Sequence, residues 1–134
     1  MRNENDIAAE VKKITDGQGV DIALDAVGGE AFTQSLKAAG HGGRVVAMAN
    51  VALAPTTMDT RDFYPKNVRI SGFQLTNLIQ HGWDPRPDLR ELIAAVGAQR
   101  FTVPIDTTVP LAEATQAHLR LESGDTRGKV TLHN

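Results

Sequence analysis

The chain has 134 residues, with 14 Lys and Arg against 16 Asp and Glu, a formal net charge of −2 and no cysteine. Hydrophobic residues make up 41% and charged residues 22%, which excludes a disordered chain and, being near neutral, argues against a protein that wraps a nucleic-acid duplex. Without cysteine there is no disulfide framework, no thiolate metal site and no cysteine nucleophile in this chain.

The length suits a single domain over residues 1–134, large enough to bury a core. The most apolar window, Val45 to Ala54, is interrupted by Asn50 and falls far short of the roughly 20 apolar residues that a membrane helix needs. The start, Met1-Arg2-Asn3-Glu4-Asn5-Asp6, is polar and has no apolar export core. The expectation is a cytoplasmic protein that uses neither membrane nor nucleic acid.

Taken along the chain, Asn5 or Asp6 can cap a helix running to about Thr15, with Ile7, Val11 and Ile14 as one apolar stripe. Asp16-Gly17-Gln18-Gly19 ends it. Val20 to Ala26 is short, mostly apolar and bounded by glycine, as a strand buried on both faces would be. Val27-Gly28-Gly29 makes a turn into a helix from Glu30 to Ala39, with Phe32, Leu36 and Ala39 inward, and Gly40-His41-Gly42-Gly43 reads as its stop. Arg44 to Ala49 is a second apolar strand, and Asn50 to Met58 a loop broken by Pro55. Thr60 to Tyr64 reads as one helical turn. Asn67 to Phe73 is a third strand, with Val68, Ile70 and Gly72 alternating with Arg69 and Ser71. Asp84-Pro85-Arg86-Pro87 turns into a helix over about Asp88 to Ala98, with Leu89, Leu92, Ile93 and Val96 inward. Ile105 to Val109 is a short strand. Ala112 to Ser123 is a helix with Ala114, Ala117, His118 and Leu121 on one side, and Lys129 to His133 is a terminal strand.

Strands joined by helices of this length imply parallel pairing, so the fold class is α/β, part of a doubly wound sheet. In such sheets ligands sit beyond the carboxyl ends of the strands. Here those ends are Asp25 to Gly29, Met48 to Val51 and Ser71 to Gln74.

Gly19-Val20-Asp21-Ile22-Ala23-Leu24-Asp25-Ala26-Val27-Gly28-Gly29 resembles the fourth-strand motif of the medium-chain dehydrogenase/reductase superfamily. Gly42-Gly43-Arg44-Val45-Val46-Ala47-Met48-Ala49 is similar to its fifth strand, and Lys66-Asn67-Val68-Arg69-Ile70-Ser71-Gly72-Phe73 to its sixth. Pro110-Leu111-Ala112-Glu113-Ala114, Ala117-His118, Leu121-Glu122-Ser123-Gly124 and Gly128-Lys129-Val130 resemble the C-terminal segment of its quinone oxidoreductase-like branch. The pieces come in the right order and cover about Asp6 to Leu132. The resemblance implies a partial Rossmann-like parallel sheet, its last three strands, with flanking helices and a C-terminal returning segment. It also implies that the N-terminal catalytic barrel lies outside this sequence. No G-x-G-x-x-G run follows a strand here; Gly17-Gln18-Gly19 and Gly40-His41-Gly42-Gly43 precede strands instead.

By the same resemblance the cofactor is NADPH (or NADH). Val27 and Gly28 would lie against its ribose, and Met48, Ala49 and Asn50 under the nicotinamide. Ser71, Gly72 and Phe73 would offer backbone groups to the carboxamide, and Lys129 would approach the phosphates. Gly28 and Gly29 also read simply as a turn, and Met48 as core. Asn50 departs from the small residue common at its position in the family. The branch resembled uses no zinc, and His41, His81, His118 and His133 show no metal-ligand spacing: they read as a loop, a turn, a packed helix and a tail histidine. Asp21 and Asp25 face one side of a strand roughly 13 Å apart, too far for a carboxylate dyad, and Asp25 is expected to cap the turn. No catalytic residue is identifiable.

Without a first strand beside it, Val20 to Ala26 becomes an apolar edge, a template for association. The opposite edge, Asn67 to Phe73, resembles the strand through which family members pair across a two-fold. A homodimer through that edge, or a complementing N-terminal polypeptide, is therefore expected. Three functional readings stand: part of a NAD(P)H-dependent oxidoreductase acting on a quinone, enone or carbonyl; a truncated, non-enzymatic dimerisation or partner-binding module; and one half of a split enzyme.

Overall fold

The computed structural model describes residues 6–134. The chain forms two compact units, Met1–Gly82 and Trp83–Asn134. Both are α/β, with parallel strands and flanking helices.

In the first unit, α1 spans Ile7–Ile14, β1 Val20–Asp25, α2 Gly29–Ala38 and β2 Ala39–Ala47. Two 3-10 turns, Thr60–Asp62 and Tyr64–Lys66, lead to β3 (Arg69–Gly72) and α3 (Leu75–Gln80). The Asp6 carboxylate caps α1 by accepting the Ala9 N–H at 3.0 Å; the alternative cap, Asn5, lies outside the described residues. The strands pair in parallel in the order β1-β2-β3, with Ala23 beside Val45 and Val45 beside Ile70. α2 lies on one face of this sheet. Phe32, Leu36, Ala39, Val45 and Val68 form the core there, and Leu36 is 0% exposed.

The other face is bare at β1: Leu24 is 66% exposed and its same-side neighbour Ile22 about half exposed. The edge expected over Val20 to Ala26 is therefore an edge in this sheet. The stripe Ile7, Val11 and Ile14 does not bury α1. Ile14 is 81% exposed, and Ala8 is the buried residue, its N–H reaching the Gln34 Oε1 at 3.3 Å. A small side chain lets α1 lie close on α2, which the larger residues of the stripe do not.

The glycines Gly40, Gly42 and Gly43 do not stop α2; they belong to β2. The reason is close main-chain approach. A β-carbon on Gly19 would sit 2.7 Å from the Gly40 nitrogen, and one on Gly40 would collide with the Gln18 carbonyl oxygen. Glycine inside a strand commonly marks such an approach. The register between β1 and β2 shifts at this point, so β2 takes up extra residues before Ile22 pairs with Arg44. α3 is a helix beyond those expected from the sequence. Its apolar Leu75, Leu78 and Ile79 follow a helical spacing, and Gln74 caps it through the Asn77 N–H.

In the second unit, α4 spans Arg86–Gly97, β4 Ile105–Pro110, α5 Ala114–Glu122 and β5 Lys129–His133, with a 3-10 turn at Leu111–Glu113. β4 and β5 pair in parallel, Thr108 beside Thr131. The Asp106 side chain, 9% exposed, ties this unit together. It accepts from the Arg120 Nε at 2.9 Å, the Arg120 Nη2 at 3.0 Å and the Arg127 N–H at 2.9 Å. Expected inward faces are corrected here. On α4 the buried residue is Ala95, while Leu89, Leu92 and Val96 are exposed and Ile93 is 71% exposed. On α5 Ala117 is buried, but His118 and Leu121 are exposed. Apolar periodicity marks the greasy side of a helix, not whether this chain covers it.

Candidate functional site

The carboxyl ends of β1 and β2 are laced together. The Met48 N–H donates to the Asp25 carbonyl at 2.7 Å, and the Ala52 N–H to that of Val27 at 2.9 Å. Asp25 is buried, and its carboxylate accepts the N–H groups of Val27 at 2.9 Å and Gly28 at 3.1 Å. It therefore caps the turn, as its sequence position suggests. Gly28 takes φ +77°, a backbone region that suits glycine. A β-carbon there would strike the Asn50 carboxamide, whose nitrogen donates to the Ala54 carbonyl at 3.2 Å.

Between the ends of β2 and β3 opens a cavity of about 530 Å³. Ala47, Met48, Ala49 and Asn50 line one side, and Gly72, Phe73 and Gln74 the other. Asn77 and Leu78 of α3 complete it. Gly72 has open space where a side chain would project. The Phe73 N–H donates to the Ala47 carbonyl at 2.8 Å, so that N–H is already engaged. None of these lining side chains is ionisable. Such a cavity can seat and orient an uncharged, flat group by apolar contact and amide hydrogen bonds, but it holds no side chain for proton transfer.

Met48, Ala49, Asn50, Gly72 and Phe73 thus share one cavity. Val27 and Gly28 lie in the turn after β1, with Gly28 against Asn50. Ser71 sits within β3, in register with Val46. Lys129 opens β5 in the second unit, its N–H bonded to the Pro104 carbonyl at 2.9 Å; its assignment to phosphates rests on resemblance alone. Gln74, Asn77 and Leu78 are lining residues that the sequence reading missed. Their signal was the short helical spacing after Phe73 followed by Gly82.

Among the described residues no group of three or more His, Cys, Asp or Glu side chains could hold a metal ion. His41 lies in β2, His81 ends α3 with its Nδ1 2.8 Å from the Asn77 carbonyl, His118 is exposed on α5 and His133 ends β5. Among the described residues, too, no helix is long and apolar enough to cross a membrane.

The family model for zinc-binding dehydrogenases matches residues 2–132. A probable quinone oxidoreductase of Schizosaccharomyces pombe is 26% identical over 132 residues, which are 95% of this chain and 39% of that protein. A highly reducing polyketide synthase of Cordyceps militaris is 32% identical over 128 residues, 92% of this chain and 5% of that one. A mycobacterial protein solved in complex with NADPH superposes with a TM-score of 0.73 at 26% identity, covering 98% of this chain and 42% of that one. The chain therefore spans well under half the length of these relatives. With the family's description matched across almost its whole length, and with parallel α/β units of the same fold as these relatives, this chain belongs to the zinc-binding dehydrogenase family of the medium-chain dehydrogenase/reductase superfamily.

Proposed function

We propose that this chain is the rear part of a NAD(P)H-dependent oxidoreductase of the quinone oxidoreductase-like type, acting on a quinone, an enone or a carbonyl. The observation that carries the reading is the uncharged cavity at the carboxyl ends of β2 and β3, in a chain of this family. The nicotinamide end of the cofactor fits what lines it: small residues at Ala47, Ala49 and Gly72, apolar faces at Met48 and Phe73, and carboxamides at Asn50, Gln74 and Asn77. When bound, the cofactor supplies the hydride; the protein supplies position and a dry wall. Met48 and Phe73 would exclude water from the ring. The Phe73 carbonyl, rather than its engaged N–H, would meet the carboxamide. The tight turn at Val27 and Gly28 would let the main chain approach the ribose. A zinc ion has no holder among the described residues.

Fluorescence titration of the chain with NADPH tests this. Saturable binding tighter than about 100 µM supports it, and none at about 1 mM overturns it for this chain. A second reading, a partner-binding module or one half of a split enzyme, is favoured by the exposed Ile22 and Leu24 on the β1 edge. A cytoplasmic homodimer through the β3 edge would join two sheets there. The N–H groups of Phe73 and, two residues earlier, Ser71 face β2, so it is Ile70 that presents its N–H to the open edge. Ile70→Pro removes that group and should shift a dimer to monomer in sedimentation; an unchanged mass would remove β3 from the interface.

A further inference from the structure

At the amino-terminal end of the first unit's sheet, away from the cavity beyond β2 and β3, lies a second depression of about 280 Å³. Lys12 comes to it from α1, Lys37 from the end of α2, His41 from β2 and Lys66 from the 3-10 turn before β3. The main chain of Gly17 to Gly19 and of Ala38 to Gly40 forms the rest of the wall, and no carboxylate lines it.

Lys66 is fixed in this wall. Its ammonium donates to the Leu36 carbonyl at 2.7 Å, to that of Ala39 at 2.8 Å and to that of Lys37 at 3.3 Å, where α2 runs into β2. Partial burial, first, and the neighbouring Lys12 charge, second, disfavour its charged form, with Asp62 offsetting part of this from outside the lining. Lys12 and Lys37 make no ion pair among the described residues. Three lysines on three different elements thus line one concavity whose wall holds no carboxylate, while Asp59 feels the Lys37 charge and Asp62 that of Lys66 from outside it. Lysine is a point-charge donor suited to phosphate oxygens, and a small anion between several of them relieves their mutual repulsion.

We propose that the depression bounded by Lys12, Lys37 and Lys66 binds a small phosphate-bearing anion. This site is separate from the cofactor cavity and does not depend on what that cavity holds. Lys12 and Lys37 clamp the phosphate, and Lys66 supplies a fixed positive floor.

The test titrates inorganic phosphate and pyrophosphate into the intact chain, with ionic strength held constant by chloride, and follows backbone amide shifts. Saturable shifts are expected at Gly17 to Gly19 and at Gly40 and His41, with pyrophosphate the tighter ligand. Lys12→Gln combined with Lys37→Gln should weaken binding about tenfold, a loss of roughly 1.4 kcal/mol, and leave the NADPH titration unchanged. The doubly conservative Lys12→Arg and Lys37→Arg chain should keep binding, which separates charge from fold. No saturable shift at about 10 mM phosphate, or equal affinity in the Gln variant, overturns the site.

Discussion

The Asn50 carboxamide occupies the volume that a β-carbon on Gly28 would need, and so locks the turn after β1 against the chain leaving β2. Gly28 also holds a left-handed φ of +77°. Gly28→Ala therefore suffers both backbone strain and a steric collision. It should destabilise the chain by about 1–3 kcal/mol in urea denaturation. Adding Asn50→Gly should restore the steric share only. Full recovery in the double variant would mean that the backbone conformation costs nothing.

Gly72 offers the opposite case. A side chain there would enter open space beside the cavity. Gly72→Val should leave stability within about 0.5 kcal/mol yet weaken NADPH binding by about tenfold. Equal titration curves for the two proteins would take the cavity out of cofactor binding.

These two glycines show what the sequence made legible. The two apolar strands and the alternating third, the glycine turn after Asp25 and the inward trio Phe32, Leu36 and Ala39 follow from patterns that local physics enforces. Strand ends then locate the cavity without any further information, because parallel sheets leave their loops on one side. What sequence could not give was closure. Leu92 and Ile93 read as core because they are apolar and in phase, but both are more than half exposed. The glycine run at Gly40 to Gly43 read as a break because its purpose, room for another main chain, is visible only in three dimensions. The lysines at 12, 37 and 66 stand far apart along the chain, so their convergence had no sequence signature.

The Asp106 carboxyl is held below its ordinary value of 3.8, first by the Arg120 side chain and next by the Arg127 N–H, against a smaller opposing effect of burial. A carboxyl whose folded pKa is depressed stabilises fully above the unfolded value and loses that contribution as pH falls through the folded one. The second unit should therefore weaken on acidification below about pH 4. Asp106→Asn should be less stable at neutral pH and respond less to acid over the same range. Hydrogen exchange at β4 and β5 amides reads both effects; parallel acid profiles for the two chains would dismiss the pair as a source of stability.

Leu24 projects from the β1 edge with two thirds of its surface in water. Exposed apolar edges promote association, and a lysine there is a common guard. Leu24→Lys should lower the average mass of the chain in light scattering at high concentration, with an unchanged circular dichroism spectrum. An unaltered mass would show that this edge takes no part in self-association.

Gly19 and Gly40 lie where two main chains cross so closely that a methyl group on Gly19 would meet the Ala38 oxygen and the Gly40 backbone, and one on Gly40 would meet the Gln18 carbonyl oxygen. Neither can gain a side chain first, and no exchange at the partner compensates, because the obstacle is main chain on both sides. The two codons are consequently frozen together: a saturation library of the intact chain should return only glycine at both, while the open glycine at 42 on the same strand drifts as far as its backbone angle allows.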